Sequence, residues 1–356
     1  MITRFHDEYD YMIRLAACAV RRLAPAELPD GLSFDAVYRA AMEHDMAALC
    51  FCSVEKLTVL PDRPLCEKWY DRRGLALVRE VNQAVAADEI RGVFAGNSVP
   101  FSEYQGTRLK ELYPSPDLRT MSDVDFKLDS RDLNTASSLL EELGYSVHTE
   151  ENGSTVVARR EPDLNVELHG RFFPSDPAYE KAFVSSGLTG TPALYLFTLL
   201  HLAKHYRSGG CGVRRFLDIY LLETSFPEVR GTPEVRRALK EAGEDALADT
   251  VSLISEYWFG DGERDPSFDG IAGYVKRSGT HGSYDNLIAN RIAESGGKAR
   301  YFFRRAFPAR KALANTYPAL SDHPARYPVY CAKRLIAKRK TGISELKVIK
   351  EKKTKK

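Results

Sequence analysis

"RTMSDVDFKL", residues 119–128, reads as a β-strand that carries two acids. Val124, Phe126 and Leu128 alternate, so one face is apolar and packs inward. Asp123 and Asp125 share the other face, because side chains two apart on a strand point the same way. Asp is depleted in strands, and two carboxylates at this spacing repel each other. The pair therefore asks for a cation.

A third acid comes from "LNVELHGRF", residues 164–172. Val166 and Leu168 would face the core, which puts Asn165, Glu167 and His169 on the opposite face. Laid beside 122–128 with matched faces, this strand makes Asp123, Asp125 and Glu167 converge. A hard divalent cation relieves three clustered carboxylates; Mg²⁺ takes oxygen ligands and keeps positions open for water and phosphate. Two such ions (Mg²⁺, or Mn²⁺ in its place) about 3.5–4 Å apart can clamp an in-line phosphoryl or nucleotidyl displacement.

The phosphate needs a cradle, and "YQGTRLKELY" (104–113) offers one. Gly106 falls between a short strand and a helical turn, where backbone N–H groups are unpaired and the helix dipole favours an anion. Thr107 adds a hydroxyl. Arg108, Lys110 and Arg119 are the nearby cations.

Around this segment the periodicity is helical. Residues 34–54 and 65–96 repeat apolar residues every three or four positions, separated by a Pro-containing break at 61–64. "SRDLNTASSLLEELGY" (130–145) is a helix that Asp129 or Ser130 can cap and Gly144 can end. "YSVHTE" and "STVVARR" follow as strands. From Pro192 the chain turns helical again. The expected organisation is α+β: helical residues 1–95, an αβ core at 96–172, a helical domain at 173–260, a mostly helical extension at 261–335 and a basic tail at 336–356.

Composition fits a water-soluble protein: 44% hydrophobic, 28% charged, with no apolar run near the ~18–20 residues that span a bilayer. The N-terminus lacks a signal-peptide pattern, so a cytoplasmic location is expected. The six cysteines are scattered and read as reduced thiols. Charge is uneven. Residues 326–356 hold 12 Lys/Arg against 2 Asp/Glu, a net of +10, which leaves −8 for residues 1–325 of a chain whose net is +2. The tail reads as a solvated segment able to touch anionic membrane or nucleic acid by electrostatics alone, a peripheral attachment at most.

The stretch "YQGTRLKELYPSPDLRTMSDVDFKL", then a helix ending in "LGY", then "NVELH", resembles the uncharacterised nucleotidyltransferase family of the DNA polymerase β-like superfamily. The matching positions are Gly106, Tyr113, Pro114, Arg119, Asp123, Asp125, Glu167 and His169. "HLAKHYRSGGCGVRRFLDIYLL" (201–222) is similar to the family's "H…KH…Arg…Asp" segment, and "SGTHGSYDNLIANRI" and "FPARKALANTYPALSDHPARYPVY" to its C-terminal segments. The resemblance runs from about residue 70 to 335. It implies a nucleotidyltransferase fold, a small mixed sheet with packed helices, and a helical region that closes over the nucleotide. It also implies Mg²⁺ on Asp123, Asp125 and Glu167, triphosphate at Gly106–Thr107, and nucleotide contacts from Lys204 and His205. The family often has Lys before the glycine; here Gln105 stands there.

The expected reaction moves NMP from NTP to an acceptor hydroxyl, on a sugar, a small alcohol, a protein side chain or an RNA end. The alternative is a non-catalytic nucleotide-binding or scaffold module with a docking tail. His201 and His205 are four apart, but no H-E-x-x-H pattern supplies a zinc set. His201 reads as structural; Arg214, Arg215 and Asp218 lie at helical spacing, so Arg215 reads as pairing within its own helix, while Asp218 stays open as a base or a positioning residue.

Overall fold

The computed structural model describes residues 7–280, 282–310, 313, 320 and 323–337. Residues 338–356 of the basic tail and most of "FPARKALANTYPALSD" lie outside the described residues. Two compact units result: Met1–Lys204 with Cys211–Thr280, and His205–Gly210 with His281–Lys356.

The first unit opens with three helices, α1 (Glu8–Arg21), α2 (Phe34–Glu43) and α3 (Ala47–Val54). The Asp7 side chain caps α1 by accepting the Asp10 N–H at 2.8 Å. Ser53 Oγ reaches back to the Leu15 carbonyl at 2.7 Å and ties α3 to α1. The Pro-containing break is the start of α4 (Arg63–Gly96): Asp62 accepts the Leu65 N–H at 2.9 Å, with Pro64 in the first turn. Leu65, Trp69, Ala76, Gln83, Ala87, Ile90 and Phe94 recur at three, four or seven residues, so one stripe of α4 is buried along its length.

The sheet has five strands in the order β1-β2-β5-β4-β3: β1 (Phe101–Glu103), β2 (Val124–Leu128), β3 (Ser146–Thr149), β4 (Thr155–Arg160) and β5 (Leu164–His169). β2 and β5 run parallel; the other neighbours are antiparallel. Between β1 and β2 lies the single turn α5 (Gly106–Leu109), and α6 (Leu133–Glu142) follows β2. Gly144, at φ 83°, ends α6, and Tyr145 N–H closes the turn on the Leu140 carbonyl at 2.9 Å.

Val124, Phe126, Leu128, Val156, Ala158, Val166 and Leu168 pack with Ala86, Ala87, Ile90 and Phe94 of α4 and with Leu133, Ala136, Leu139 and Leu140 of α6. At roughly 1.5–3 kcal/mol per large buried side chain, this layer fixes which face of the sheet turns inward. A one-residue slip of β2 would bury its acids, so the register is strongly specified.

Six more helices complete the unit: α7 (Pro177–Ser186), α8 (Gly190–Ser208), α9 (Arg214–Ser225), α10 (Pro233–Ala242), α11 (Asp245–Phe259) and α12 (Asp269–Lys276), with α8 running on into the second unit. Tyr104, Phe172, Phe183 and Phe197 form one aromatic cluster, joining the end of β1 and the segment after β5 to α7 and α8. None of the described helices is long and apolar enough to cross a membrane. All six cysteines are free.

The second unit contains α13 (Tyr284–Glu294), α14 (Lys298–Ala306) and α15 (Tyr327–Ala337). Within it, Ser283 N–H donates to the Gly209 carbonyl at 2.9 Å, and Leu313, Leu320 and Cys331 form a small core.

Candidate active site

Strand pairing places Asp125 opposite Glu167 and Lys127 opposite His169 in the parallel β2–β5 ladder. Their apolar neighbours go to the core, so Asp125, Glu167 and His169 share the outer face. His169 Nε2 lies 2.8 Å from Asp125 Oδ1 and 3.5 Å from Glu167 Oε2. One ligand atom from each of Asp125, Glu167 and His169 falls within 4.8 Å of the others, a donor set able to hold a metal ion. Asp123 is not among those three. It sits just ahead of β2, half-buried, and acts on them through its charge.

The electrostatics are those of crowded acids. Burial and the charges of Asp123 and Asp125 push the Glu167 carboxyl up to about 7. Burial and Asp125 raise Asp123 as well. Burial opposes the charged form of His169, yet its hydrogen bond to Asp125 and the surrounding acids raise its pKa above the ordinary value.

The loop ahead of Asp123 is tied at every residue. Arg119 Nε and Nη2 bond the two Asp218 oxygens at 2.8 Å each, and Tyr113 Oη donates to Asp218 Oδ1 at 2.8 Å. Arg214 Nη1 reaches the Thr120 carbonyl at 2.6 Å and Asp45 Oδ2 at 2.5 Å. Gln83 Nε2 donates to the Met121 carbonyl at 3.2 Å, and Asn165 Nδ2 to the Ser122 carbonyl at 3.4 Å. α4, α9 and β5 thus hold four consecutive residues and aim the fifth.

Gln105 precedes the glycine turn at φ 53°, ψ −126°, a conformation side chains seldom adopt and one that stores strain at functional turns. Its carbonyl accepts from Arg108 and Leu109 N–H, leaving Gly106 and Thr107 N–H without a partner inside the turn. A Cβ built on Gly106 would collide with Met121 Sδ and lie 2.8 Å from Arg119 Nη1, the guanidinium nitrogen not spent on Asp218. Thr107 is buried and its Oγ1 has no partner among the described residues. Arg108 is exposed, whereas Lys110 is taken by Glu80 at 2.7 Å.

In the helical segment Arg215 meets His201 rather than forming the expected pair within its helix, and Asp218, whose role the sequence left open, finds its partner outside the helix. Asp218 does not pair within α9; it crosses to Arg119, as the cationic demand of a buried carboxylate requires. Arg215 Nη1 meets His201 Nδ1 at 2.9 Å, and His201 stacks on Phe197. Lys204 is half-buried and ends the first unit, with no side-chain partner among the described residues; His205 opens the second.

Sequence reasoning missed the Tyr113–Arg119–Asp218 brace and the Asp45–Arg214 pair. A signal existed: Asp218 stands among Phe216, Leu217 and Ile219, all buried, so its partner had to be another buried group.

Comparison with curated proteins and with solved structures finds no match. The segments "SGTHGSYDNLIANRI" and "FPARKALANTYPALSDHPARYPVY", likened above to the family, lie outside the region matched by the family model. That model, described as an uncharacterised nucleotidyltransferase, matches residues 30–260 of 356, from α2 through α11, and the chain belongs to this family.

Proposed function

We propose that the chain adopts the nucleotidyltransferase fold and transfers a nucleoside monophosphate from NTP to an acceptor hydroxyl. The observation that carries the reading is the meeting of Asp125 and Glu167 on one outer sheet face, with Asp123 close enough to raise Glu167. An oxygen-rich donor set whose acids repel one another suits a hard divalent cation. Asp123, Asp125 and Glu167 would hold Mg²⁺, or Mn²⁺, and three acids suit a pair of ions. Bound there, the metal supplies charge neutralisation and polarises the phosphoryl oxygens.

The remaining roles belong to this chain's own groups. His169 Nε2, 2.8 Å from Asp125 Oδ1, holds that carboxylate in place. Glu167, at the border with β4, accepts the acceptor's proton at a carboxylate oxygen. Gly106 and Thr107 N–H face the triphosphate, with Arg108 and Arg119 Nη1 supplying charge, and Lys204 contacts the nucleotide. The Arg119–Asp218 brace positions Asp123 rather than reacting. The part implied for His205 rests on resemblance alone.

The test is thermal stability. Mg²⁺ with NTP should raise the Tm of the wild type and leave Asp123→Ala/Asp125→Ala unmoved; equal stabilisation of both proteins refutes the metal site.

A further inference from the structure

The face that carries Asp125 and Glu167 continues beyond β5. Val157 pairs with Glu167 and His148 with Val157; Arg159 pairs with Asn165 and Ser146 with Arg159. Directly opposed residues share a face, so the face that carries the acids runs on across Val157 and Arg159 of β4 to His148 and Ser146 of β3. There they line an open cleft of about 600 Å³, floored by Val157 and walled by Ser146, His148, Arg159, Glu150 and Glu151. Arg159 is exposed, and its side chain has no ion-pair or hydrogen-bond partner among the described residues. The glycine turn follows β1, on the other side of β2. With triphosphate at that turn, the β4–β3 side is left for the second substrate.

We infer that this cleft takes the acceptor, and that the acceptor is a small hydroxyl-rich molecule with one acidic substituent, phosphate or carboxylate, held by Arg159. The inference rests on the transferase reading above. Arg159 lies diagonally from Glu167, roughly 7–8 Å away by sheet geometry. A short polyol or sugar spans that distance, with its acid on the guanidinium and its reacting hydroxyl at Glu167. Glu150 and Glu151, at the far end, repel a second anion and accept from neutral hydroxyls; Glu150 also accepts from Asn152 Nδ2 at 2.8 Å. Val157 meets the C–H face. In the reaction the acceptor oxygen bonds to the α-phosphorus, its proton passes to the base, and the bond to pyrophosphate breaks with the electron pair leaving on pyrophosphate.

A small-molecule cell extract, split by anion exchange into neutral and anionic pools, is incubated with the full chain, Mg²⁺ and α-32P-labelled NTPs. Label should move onto the anionic pool alone. Arg159→Ala should raise the KM for that pool roughly 10- to 100-fold with kcat little changed, the range a charge-assisted pair commands, and Arg159→Lys should restore part of it. The Mg²⁺·NTP thermal shift should persist in both variants. Transfer to the neutral pool, or transfer indifferent to Arg159→Ala, overturns the inference. Transfer to neither pool overturns it where Mg²⁺·NTP still stabilises the wild type; loss of that stabilisation as well refutes the transferase reading itself.

Discussion

Arg119 and Asp218 meet through two parallel 2.8 Å hydrogen bonds, with both side chains almost wholly buried. The pair joins the loop before β2 to α9, 99 residues further along the chain. Tyr113 adds its hydroxyl to the same carboxylate, so two residues of the "YP…R" segment and one of the helical segment form a single brace. Removing one partner of such a pair leaves the other charge buried and uncompensated. Asp218→Ala should therefore cost about 3–5 kcal/mol in denaturant unfolding, well above a surface substitution. Asp218→Asn, which keeps the shape and some hydrogen bonds, should cost less. A loss below about 1 kcal/mol for the alanine variant contradicts the brace.

Gly106 has no room for a methyl group, because Arg119 is fixed by Asp218 and Met121 fills the remaining space. Gly106→Ala should destabilise by about 1–3 kcal/mol through overpacking and should abolish the Mg²⁺·NTP thermal shift. Retained nucleotide stabilisation would place the triphosphate elsewhere.

His44 provides a pH signature away from the acids. Its Nδ1 accepts the Val213 N–H at 3.1 Å and its Nε2–H donates to the Lys276 carbonyl at 3.0 Å, so the folded protein needs the neutral ring. Burial lowers its pKa from 6.5 to about 4. The unfolded chain therefore binds the proton first. The contribution is complete above pH 6.5 and is lost as pH falls toward 4, about 3 kcal/mol over the window at 1.36 kcal/mol per unit. Urea unfolding of wild type and His44→Gln at pH 7, 5.5 and 4 should show the gap between them closing as pH drops. Since Glu167 titrates in both proteins, its contribution cancels in the difference. A constant gap contradicts the assignment.

The acid cluster has the opposite sign. Glu167 has its folded pKa raised from 4.5 to about 7, so its contribution is present below pH 4.5 and lost as pH rises through 7. Metal-free Glu167→Gln should thus be at least as stable as the wild type at pH 8, while losing the stabilisation that Mn²⁺ or Mg²⁺ gives. A variant clearly less stable without metal would mean that Glu167 supports the fold rather than a ligand.

The sheet and its acids were legible because the strand period is two and the core claims one face: Val124, Phe126, Val166 and Leu168 left Asp125 and Glu167 nowhere to point but outward. The turn at Gly106 was legible from its glycine between strand and helix. The brace was not. Helical spacing offers Arg214 and Arg215 as local partners for Asp218, and only tertiary packing sends them instead to Asp45, Thr120 and His201. The strain at Gln105 was hidden for a similar reason, since nothing in the side chain announces a positive φ that the surrounding loop imposes.

Nucleotidyl transfer itself is the most direct test. The purified chain is incubated with each α-32P-labelled NTP, Mg²⁺ and a mixture of cellular acceptors, beside Asp123→Ala. Label moving onto a product, with release of pyrophosphate, only when Asp123 is intact is the predicted result. Nucleotide binding without transfer under any condition, or transfer that Asp123→Ala leaves unchanged, contradicts the account.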